Sequence, residues 1–261
     1  MNKVQIEING RPLETERGTR LLDACTSLEI YIPTLCYHSA LPGYAGCRLC
    51  VVEQHRKGWS KLVTACEYPL MHSGERFSTD TEKVWDSRLK SAELLLARAP
   101  HAKEVLEEVL GRTIQSRFAE LEVDNKKCIL CGLCYRLCHA QGTAAIYTTG
   151  RGANKVVSTP FHEANEACIG CGSCAAICPT GAITMKEPPG KRAIWRQLFT
   201  LQNCPVCGTP HITQPMIEYM RERTELSEEL IRMCPPCRLK HLSSGMNMGM
   251  AGAQYQRGMA T

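Results

Sequence analysis

The amino-acid sequence predicts an α+β protein built from small modules, each organised around a group of cysteines. The chain has 261 residues and 17 cysteines, which outnumber its 3 Trp, 8 Tyr and 4 Phe together. Every cysteine except Cys25 falls into one of four groups of four. The segment 128–178 contains an internal repeat of one cysteine pattern. We therefore expect several metal centres rather than one large aromatic core.

The first module, residues 1–80, combines short strands with one helix. Apolar residues alternate with polar ones over 4–8, which predicts a half-buried strand, and Asn9-Gly10 predicts a hairpin turn into a second strand over 11–16. A short helix is expected at about 20–28, and further strands near 49–54 and 62–66. Cys25 lies on the apolar stripe of this helix, so we interpret it as a buried small hydrophobic residue rather than a ligand.

Residues 81–121 contain no cysteine and predict a helical connector that packs between modules. Leucines at 89, 94, 95 and 96 mark a first helix, which Pro100 should end. Apolar residues three or four positions apart predict a second helix: Leu106, Leu110, Ile114, Phe118 and Leu121.

Residues 122–187 carry the repeat, in which CILCGLCYRLC and CIGCGSCAAIC share the spacing Cys-x2-Cys-x2-Cys-x3-Cys. Three cysteines at this spacing bind one [4Fe–4S] cluster, and the fourth reaches the neighbouring cluster. Zinc sites with four cysteines usually use two separated pairs, so zinc does not fit here. The predicted ligand sets are Cys128, Cys131, Cys134 and Cys178 for the first cluster, and Cys168, Cys171, Cys174 and Cys138 for the second.

A third group, Cys36, Cys47, Cys50 and Cys66, lies among the predicted strands of the first module. A [2Fe–2S] cluster needs four thiolates, commonly from one loop and one distant strand. The interval between Cys36 and Cys47 is longer than in plant-type ferredoxins, so a zinc site and unpaired thiols remain alternatives.

The last group, Cys204, Cys207, Cys234 and Cys237, consists of two Cys-x2-Cys pairs separated by a predicted helix. This arrangement suits a tetrahedral four-sulfur site, and we predict zinc in a module over 203–241. A mononuclear iron and a further iron–sulfur cluster are the alternatives. A proline-bearing linker is expected over 188–202 and a flexible tail over 242–261.

Several classes of function are disfavoured. No Gly-x-Gly-x-x-Gly follows a predicted strand, so we expect no nicotinamide or flavin fold and no catalytic residue. The net charge of +5 is scattered, which argues against a nucleic-acid partner. No signal-peptide core and no apolar run of about 18 residues occur, so we expect a cytoplasmic chain without a transmembrane segment.

The residues carry a resemblance to a known family. The run IPTLCYHSALPGYAGCRLCVVE with TAC at 64–66, and the later repeat, resemble the N-terminal part of the large iron–sulfur subunit of complex I. They are also similar to the diaphorase iron–sulfur subunit of NAD-reducing hydrogenases and formate dehydrogenases. The resemblance covers about residues 1–187. It implies a β-grasp [2Fe–2S] domain followed by a duplicated [4Fe–4S] ferredoxin domain.

One departure from the family is evident. The complex I subunit carries a one-His, three-Cys cluster motif between these domains, whereas this chain has PHAKEVLEEVLGR there, without cysteine. The intermediate cluster should therefore be absent. The resemblance implies an electron-transfer subunit, with no substrate site of its own, in a hetero-oligomer. Its partners would be a flavin-bearing NAD(P)H-linked subunit and a catalytic subunit such as a hydrogenase or formate dehydrogenase. An independent soluble carrier is the alternative.

Overall fold

The computed structural model describes residues 3–243 and divides the chain into two compact units. The first unit contains the residues up to Ser158 together with 173–183, and the second contains 159–172 and the residues from Thr184 onward. The predicted ferredoxin domain at 122–187 is therefore shared between the units. Most of the predicted tail, from residue 244 onward, lies outside the described residues.

A five-stranded mixed sheet forms the N-terminal part of the first unit. Its strands are β1 (Lys3–Ile8), β2 (Arg11–Glu16), β3 (Val51–Arg56), β4 (Trp59–Thr64) and β5 (Glu75–Ser78). The strand order is β2-β1-β5-β3-β4, with β1 parallel to β5. Helix α1 (Leu21–Ser27) packs Leu21, Leu22 and Cys25 against the apolar residues of β1. This arrangement confirms the predicted β-grasp fold and the buried position of Cys25.

The hairpin β1–β2 has the predicted bounds, but the later strands differ from the prediction. Strand β4 begins at Trp59, three residues earlier than expected, because Lys57-Gly58 forms a tight turn directly after β3. Strand β5 was not predicted. It is only four residues long, and it is held by pairing with both β1 and β3 rather than by a strong pattern of its own.

The connector begins with α2 (Glu82–Arg98), whose first turn is capped by the Thr81 hydroxyl, which accepts from the Val84 amide at 3.2 Å. After a 3-10 turn at Pro100–Ala102, α3 covers Lys103–Leu110. The predicted extension of this helix to Leu121 is wrong. Gly111 has a φ of 63° and its amide closes onto the last carbonyls, which ends the helix, and Phe118 and Leu121 are exposed.

The connector packs between the N-terminal sheet and the residues that follow it, as predicted. Its buried side chains from α2 and α3 join those of the loop before β3 and those around the first copy of the repeat. We call this set the connector core. Its fully or nearly fully buried members include Leu49, Ala92, Leu106, Ile114, Ile129 and Leu133.

The remainder of the first unit carries part of the repeat. Helix α4 (Leu133–Ala140) precedes the short hairpin of β6 (Tyr147–Thr149) and β7 (Val156–Ser158), and α5 (Ser173–Ala176) packs on α4. The Arg98 guanidinium at the end of α2 donates to the Ala153 carbonyl at 3.0 Å, which attaches the connector to the β6–β7 loop.

The second unit contains a three-stranded sheet and short helices, and residues 235–243 at the end of the described chain are also helical. Strands β8 (Lys191–Ile194), β9 (Gln197–Asn203) and β10 (Pro210–Thr213) have the order β10-β9-β8. The helices α6 (Gln214–Arg223) and α7 (Glu228–Arg232) follow.

Two predictions for this unit are wrong. The segment 188–202, expected to be a linker, forms most of the β8–β9 hairpin, because the backbone groups of these two strands pair with each other. Two helices, α6 and α7, take the place of the single helix expected between the two cysteine pairs, and residues 224–227 separate them. Ser227 caps the second of them by accepting from the Leu230 amide. Among residues 3–243, no helix combines the length and apolar character that crossing a membrane requires.

Candidate metal centres

The thiols of Cys36, Cys47, Cys50 and Cys66 converge beneath one end of the N-terminal sheet. Cys36 and Cys47 lie on the loop between α1 and β3, Cys50 immediately precedes β3, and Cys66 follows β4. All four residues are at most 3% exposed. The Cys36 thiol is within hydrogen-bonding reach of Cys47 and Cys66, and the Cys50 thiol reaches Cys66.

Neighbouring thiols and backbone amides favour the thiolate at Cys66 and Cys47, whereas the same thiol–thiol hydrogen bonds raise the pKa of Cys36 and Cys50. Hydrogen bonds from Cys36 and Cys50 lower the pKa of Cys66 to about 2, and a hydrogen bond from Cys36 lowers the pKa of Cys47 to about 6. The Cys47 amide itself donates to the Cys36 sulfur at 3.3 Å. The backbone amides of residues 44 and 45 also point at Cys66. Amides directed at sulfur stabilise the anionic ligands that an iron–sulfur cluster requires.

Gly43 lets the loop pass close to Cys66. A Cβ at this position would overlap the carbonyl oxygen of Cys66, so only glycine fits without a backbone shift. The loop that carries Cys36 and Cys47 is thereby held against the residues that carry Cys66. This close approach explains how ligands so far apart in sequence share one site.

A second set of thiols surrounds the start of α4. Cys131 and Cys134 are buried, and burial raises the pKa of Cys131 to about 12. Cys178, from the second copy of the repeat, interacts electrostatically with Cys128 and Cys131. The Ala182 amide donates to the Cys178 sulfur at 3.2 Å. The first copy and the last cysteine of the second copy therefore lie together.

The four cysteines predicted for the second [4Fe–4S] cluster are divided between the units. Cys138 and Cys174 belong to the first unit, on the packed helices α4 and α5, and the Cys138 sulfur accepts from the Ala145 amide at 3.3 Å. Cys168 and Cys171 belong to the second unit. There the carbonyl of the intervening Gly170 accepts from the Arg192 guanidinium at 2.8 Å.

The [2Fe–2S] group and the first [4Fe–4S] group border the same apolar layer. Cys36, Cys47 and Cys131 all belong to the connector core, and Cys47 and Cys131 interact electrostatically. Two polar contacts also connect these regions. The Tyr135 hydroxyl donates to the Tyr44 hydroxyl at 2.9 Å, and the Arg136 guanidinium donates to the Cys36 carbonyl at 3.3 Å.

The last four cysteines of the sequence, which belong to the second unit, form a compact group. The sulfurs of Cys204, Cys207, Cys234 and Cys237 all lie within 4.8 Å of one another, and those of Cys207 and Cys234 are 3.6 Å apart. The Cys234 amide donates to the Cys204 sulfur at 3.3 Å. A tetrahedral zinc with Zn–S bonds of about 2.3 Å separates its ligands by about 3.8 Å, so these thiols match a single ion.

Two arginines beside these groups were not anticipated from the sequence. Arg88 lies on the buried face of α2, four residues after Val84 and four before Ala92. A charged residue at helical spacing with apolar ones was the sequence feature that could have identified it. Arg136 occupies the repeat position that Ala176 takes in the second copy. This difference in charge between the two copies could have identified it.

Family models match both parts of the chain. A 2Fe-2S iron-sulfur cluster binding domain matches residues 1–81, and a 4Fe-4S dicluster domain matches residues 121–185. A second 4Fe-4S dicluster model matches residues 167–210, which include Cys204 and Cys207.

Three relatives illustrate the similarity. NADPH-Fe(3+) oxidoreductase subunit alpha of Geobacter sulfurreducens is 31% identical over 230 residues, which cover 79% of this chain and 27% of the relative. NADP-reducing hydrogenase subunit HndD of Solidesulfovibrio fructosivorans is 30% identical over 78% of this chain and 39% of its own length. One subunit of the NADH-quinone oxidoreductase of Rhizobium meliloti is 29% identical over 79% of this chain and 27% of its own length. This chain thus spans well under half of each relative.

A solved structure is similar over more of its length. A chain from the crystal structure of an NAD+-reducing [NiFe]-hydrogenase in the H2-reduced state superposes with a TM-score of 0.59 and 25% identity. The similarity covers 68% of this chain and 85% of that chain. The chain is therefore a homologue of the iron–sulfur subunits of NAD(P)H-linked oxidoreductases and hydrogenases, with one [2Fe–2S] domain followed by [4Fe–4S] dicluster domains.

Proposed function

We propose that this chain relays single electrons through three iron–sulfur clusters within a larger oxidoreductase. The homologues and the family models support this function. The buried, converging thiols of the N-terminal group support the ligand assignment of the [2Fe–2S] cluster. The proposed ligands are Cys36, Cys47, Cys50 and Cys66 for the [2Fe–2S] cluster, Cys128, Cys131, Cys134 and Cys178 for the first [4Fe–4S] cluster, and Cys168, Cys171, Cys174 and Cys138 for the second.

The observation that carries the relay is the shared connector core. Cys47 and Cys131, which are proposed ligands of different clusters, both lie in this apolar layer and interact electrostatically. When bound, the clusters supply one-electron oxidation and reduction. The protein buries the four proposed [2Fe–2S] ligands and directs backbone amides at the sulfurs of Cys36, Cys138 and Cys178. The Tyr135 hydroxyl also fixes the loop at Tyr44.

We propose zinc for the C-terminal group of Cys204, Cys207, Cys234 and Cys237, as a structural ion that holds the second unit together. The sulfur separations support a single tetrahedral ion over a cluster, although a dicluster model extends across the first pair. A mononuclear iron has the same tetrahedral preference, so metal analysis distinguishes these two ions.

The first test is the iron, acid-labile sulfide and zinc content of the anaerobically purified full chain. We expect about ten iron, about ten sulfide and about one zinc per chain, because one binuclear and two tetranuclear clusters accompany one structural ion. About eleven iron without zinc would replace the zinc proposal by a mononuclear iron site. Zinc without sulfide would overturn the electron relay.

For partners, we propose a flavin-bearing NAD(P)H-linked subunit and a catalytic oxidoreductase subunit. The names of the relatives, which are subunits of an NADPH-Fe(3+) oxidoreductase, an NADP-reducing hydrogenase and an NADH-quinone oxidoreductase, support a hetero-oligomer. The alternative is an independent carrier that diffuses between enzymes. The cytoplasmic location expected from the sequence stays a prediction.

Purification of the tagged chain from its native host distinguishes these alternatives. We expect a near-stoichiometric flavoprotein that stays bound through gel filtration and reduces the clusters when NADH or NADPH is added. A chain that elutes alone with its clusters fully loaded, and accepts electrons from no co-expressed flavoprotein, would favour the carrier.

A further inference from the structure

Arg88 is a cation buried inside the first unit. It lies on α2, is 2% exposed, and donates from Nη2 to the Val51 carbonyl at 2.9 Å. Its Nε has no hydrogen-bond partner. Within residues 3–243, no carboxylate lies within ion-pair distance of its guanidinium, and its nearest aromatic contact is the Trp85 ring at 5.1 Å. A buried charge without a paired counter-ion is costly unless something else in its surroundings is negative.

Two kinds of negatively charged or ionisable group attract the Arg88 guanidinium: the carboxylate of Asp80 and nearby cysteine thiols. Asp80 attracts it from beyond ion-pair distance, but that carboxylate already accepts a hydrogen bond from the indole of the adjacent tryptophan. On the other side, Val51 directly follows Cys50, and Arg88 interacts electrostatically with Cys50 and Cys25. Burial raises the pKa of Cys25 to about 12, so that thiol stays neutral. Cys50 is a proposed cluster ligand and would be a thiolate. The charge of Arg88 therefore acts on the ligand shell of the [2Fe–2S] site.

We propose that Arg88 is a positioning residue that raises the reduction potential of the [2Fe–2S] cluster through its buried positive charge. This inference rests on the proposed function, because it assumes a cluster on Cys36, Cys47, Cys50 and Cys66. Reduction adds one electron and makes the cluster more negative by one charge. A fixed cation nearby stabilises the reduced form more than the oxidised form, and a low local dielectric strengthens the effect.

The test is a potentiometric titration of the full-length chain, monitored by the electron paramagnetic resonance signal of the reduced [2Fe–2S] cluster. We expect Arg88→Gln to decrease the ratio of reduced to oxidised cluster about tenfold at a fixed solution potential. For one electron, that change corresponds to a midpoint lowered by about 59 mV. Arg88→Lys keeps the charge and should leave the midpoint close to the wild-type value.

Arg112→Gln is the matched control. Arg112 contacts the same Trp85 ring, at 3.7 Å, but it is exposed, so water and salt screen its charge. We expect its removal to leave the midpoint unchanged. A wild-type midpoint in Arg88→Gln, with iron content and signal shape retained, would overturn the inference. An Arg88→Lys midpoint lowered as far as expected for Arg88→Gln would overturn it as well, even if Arg88→Gln loses its cluster.

The outcomes also separate this inference from the function beneath it. If the wild-type chain shows no [2Fe–2S] signal after reconstitution, the proposed cluster is wrong and Arg88 has nothing to influence. If the signal is present and its midpoint potential does not change with the charge at position 88, the proposed electron relay is retained and the proposed role of Arg88 is wrong.

Discussion

Replacement of Cys66 by alanine should remove the [2Fe–2S] cluster completely and leave both [4Fe–4S] clusters in place. The Cys66 thiol is contacted by both Cys36 and Cys50, so its loss takes away the ligand at the centre of the group. We expect iron to fall by about two per chain, from about ten to about eight. The spectroscopic signal of the binuclear cluster should disappear while the signals of the tetranuclear clusters remain.

The matched control for this experiment is Cys25→Ala. Cys25 is the cysteine outside the four groups, and it is fully buried in the same N-terminal sheet domain. Its loss should lower the free energy of unfolding by about 1 kcal/mol, a typical cost of a buried substitution, and leave the iron content unchanged. An undiminished binuclear signal in Cys66→Ala, or a lost one in Cys25→Ala, would contradict the ligand assignment.

Replacement of Cys234 by alanine should release the C-terminal ion and unfold the region around it. Among the described residues, the apolar cluster of this region is small and contains Ile212, Ile217 and Ile231 with two partly buried methionines. Binding of a structural zinc by four thiolates contributes about 10–16 kcal/mol in small zinc domains, far more than so small a core supplies. Trypsin should then cleave after Arg232, whose carbonyl accepts a hydrogen bond from the His211 ring in the folded chain.

Val206→Ala is the matched control for the C-terminal site. Val206 lies in the turn between Cys204 and Cys207, is 62% exposed, and offers no ligand. This variant should retain one metal ion per chain and the protease resistance of the wild type. If Cys234→Ala also kept both, the four thiols would not be holding a structural ion.

Strong local patterns made the N-terminal domain predictable from the sequence. Alternation over β1 and the Asn9-Gly10 turn specified a hairpin whose register is observed residue by residue. The end of α3 was harder to predict, because apolar residues continue at helical spacing past Gly111. There the glycine cap outweighed the pattern. Ile114 is buried as the pattern suggests, but it lies on an irregular segment after the end of α3 rather than on a helix.

The β8–β9 hairpin could not be recognised for a different reason. Its turn places Trp195 and Arg196 at φ values of 50° and 62°, a conformation that usually selects Asn and Gly. Without those residues, the proline-bearing basic segment had the composition of a linker. The four cysteine groups stand out in the sequence because metal ligands recur at short, regular intervals along a chain. Helical spacing marks Arg88 as a charge on the apolar face of α2, but its interaction with Cys50 depends on how α2 packs, which spacing does not reveal.

The electrostatic interaction of Cys178 with Cys128 and Cys131 has a consequence for the order in which the clusters can be assembled. All four proposed [2Fe–2S] ligands lie at or before residue 66, whereas each proposed [4Fe–4S] ligand set draws on both copies of the repeat. The binuclear site can therefore be loaded early, while neither tetranuclear site has its full ligand set until the second copy is synthesised. Premature termination within the repeat would yield a chain with one usable redox centre instead of three.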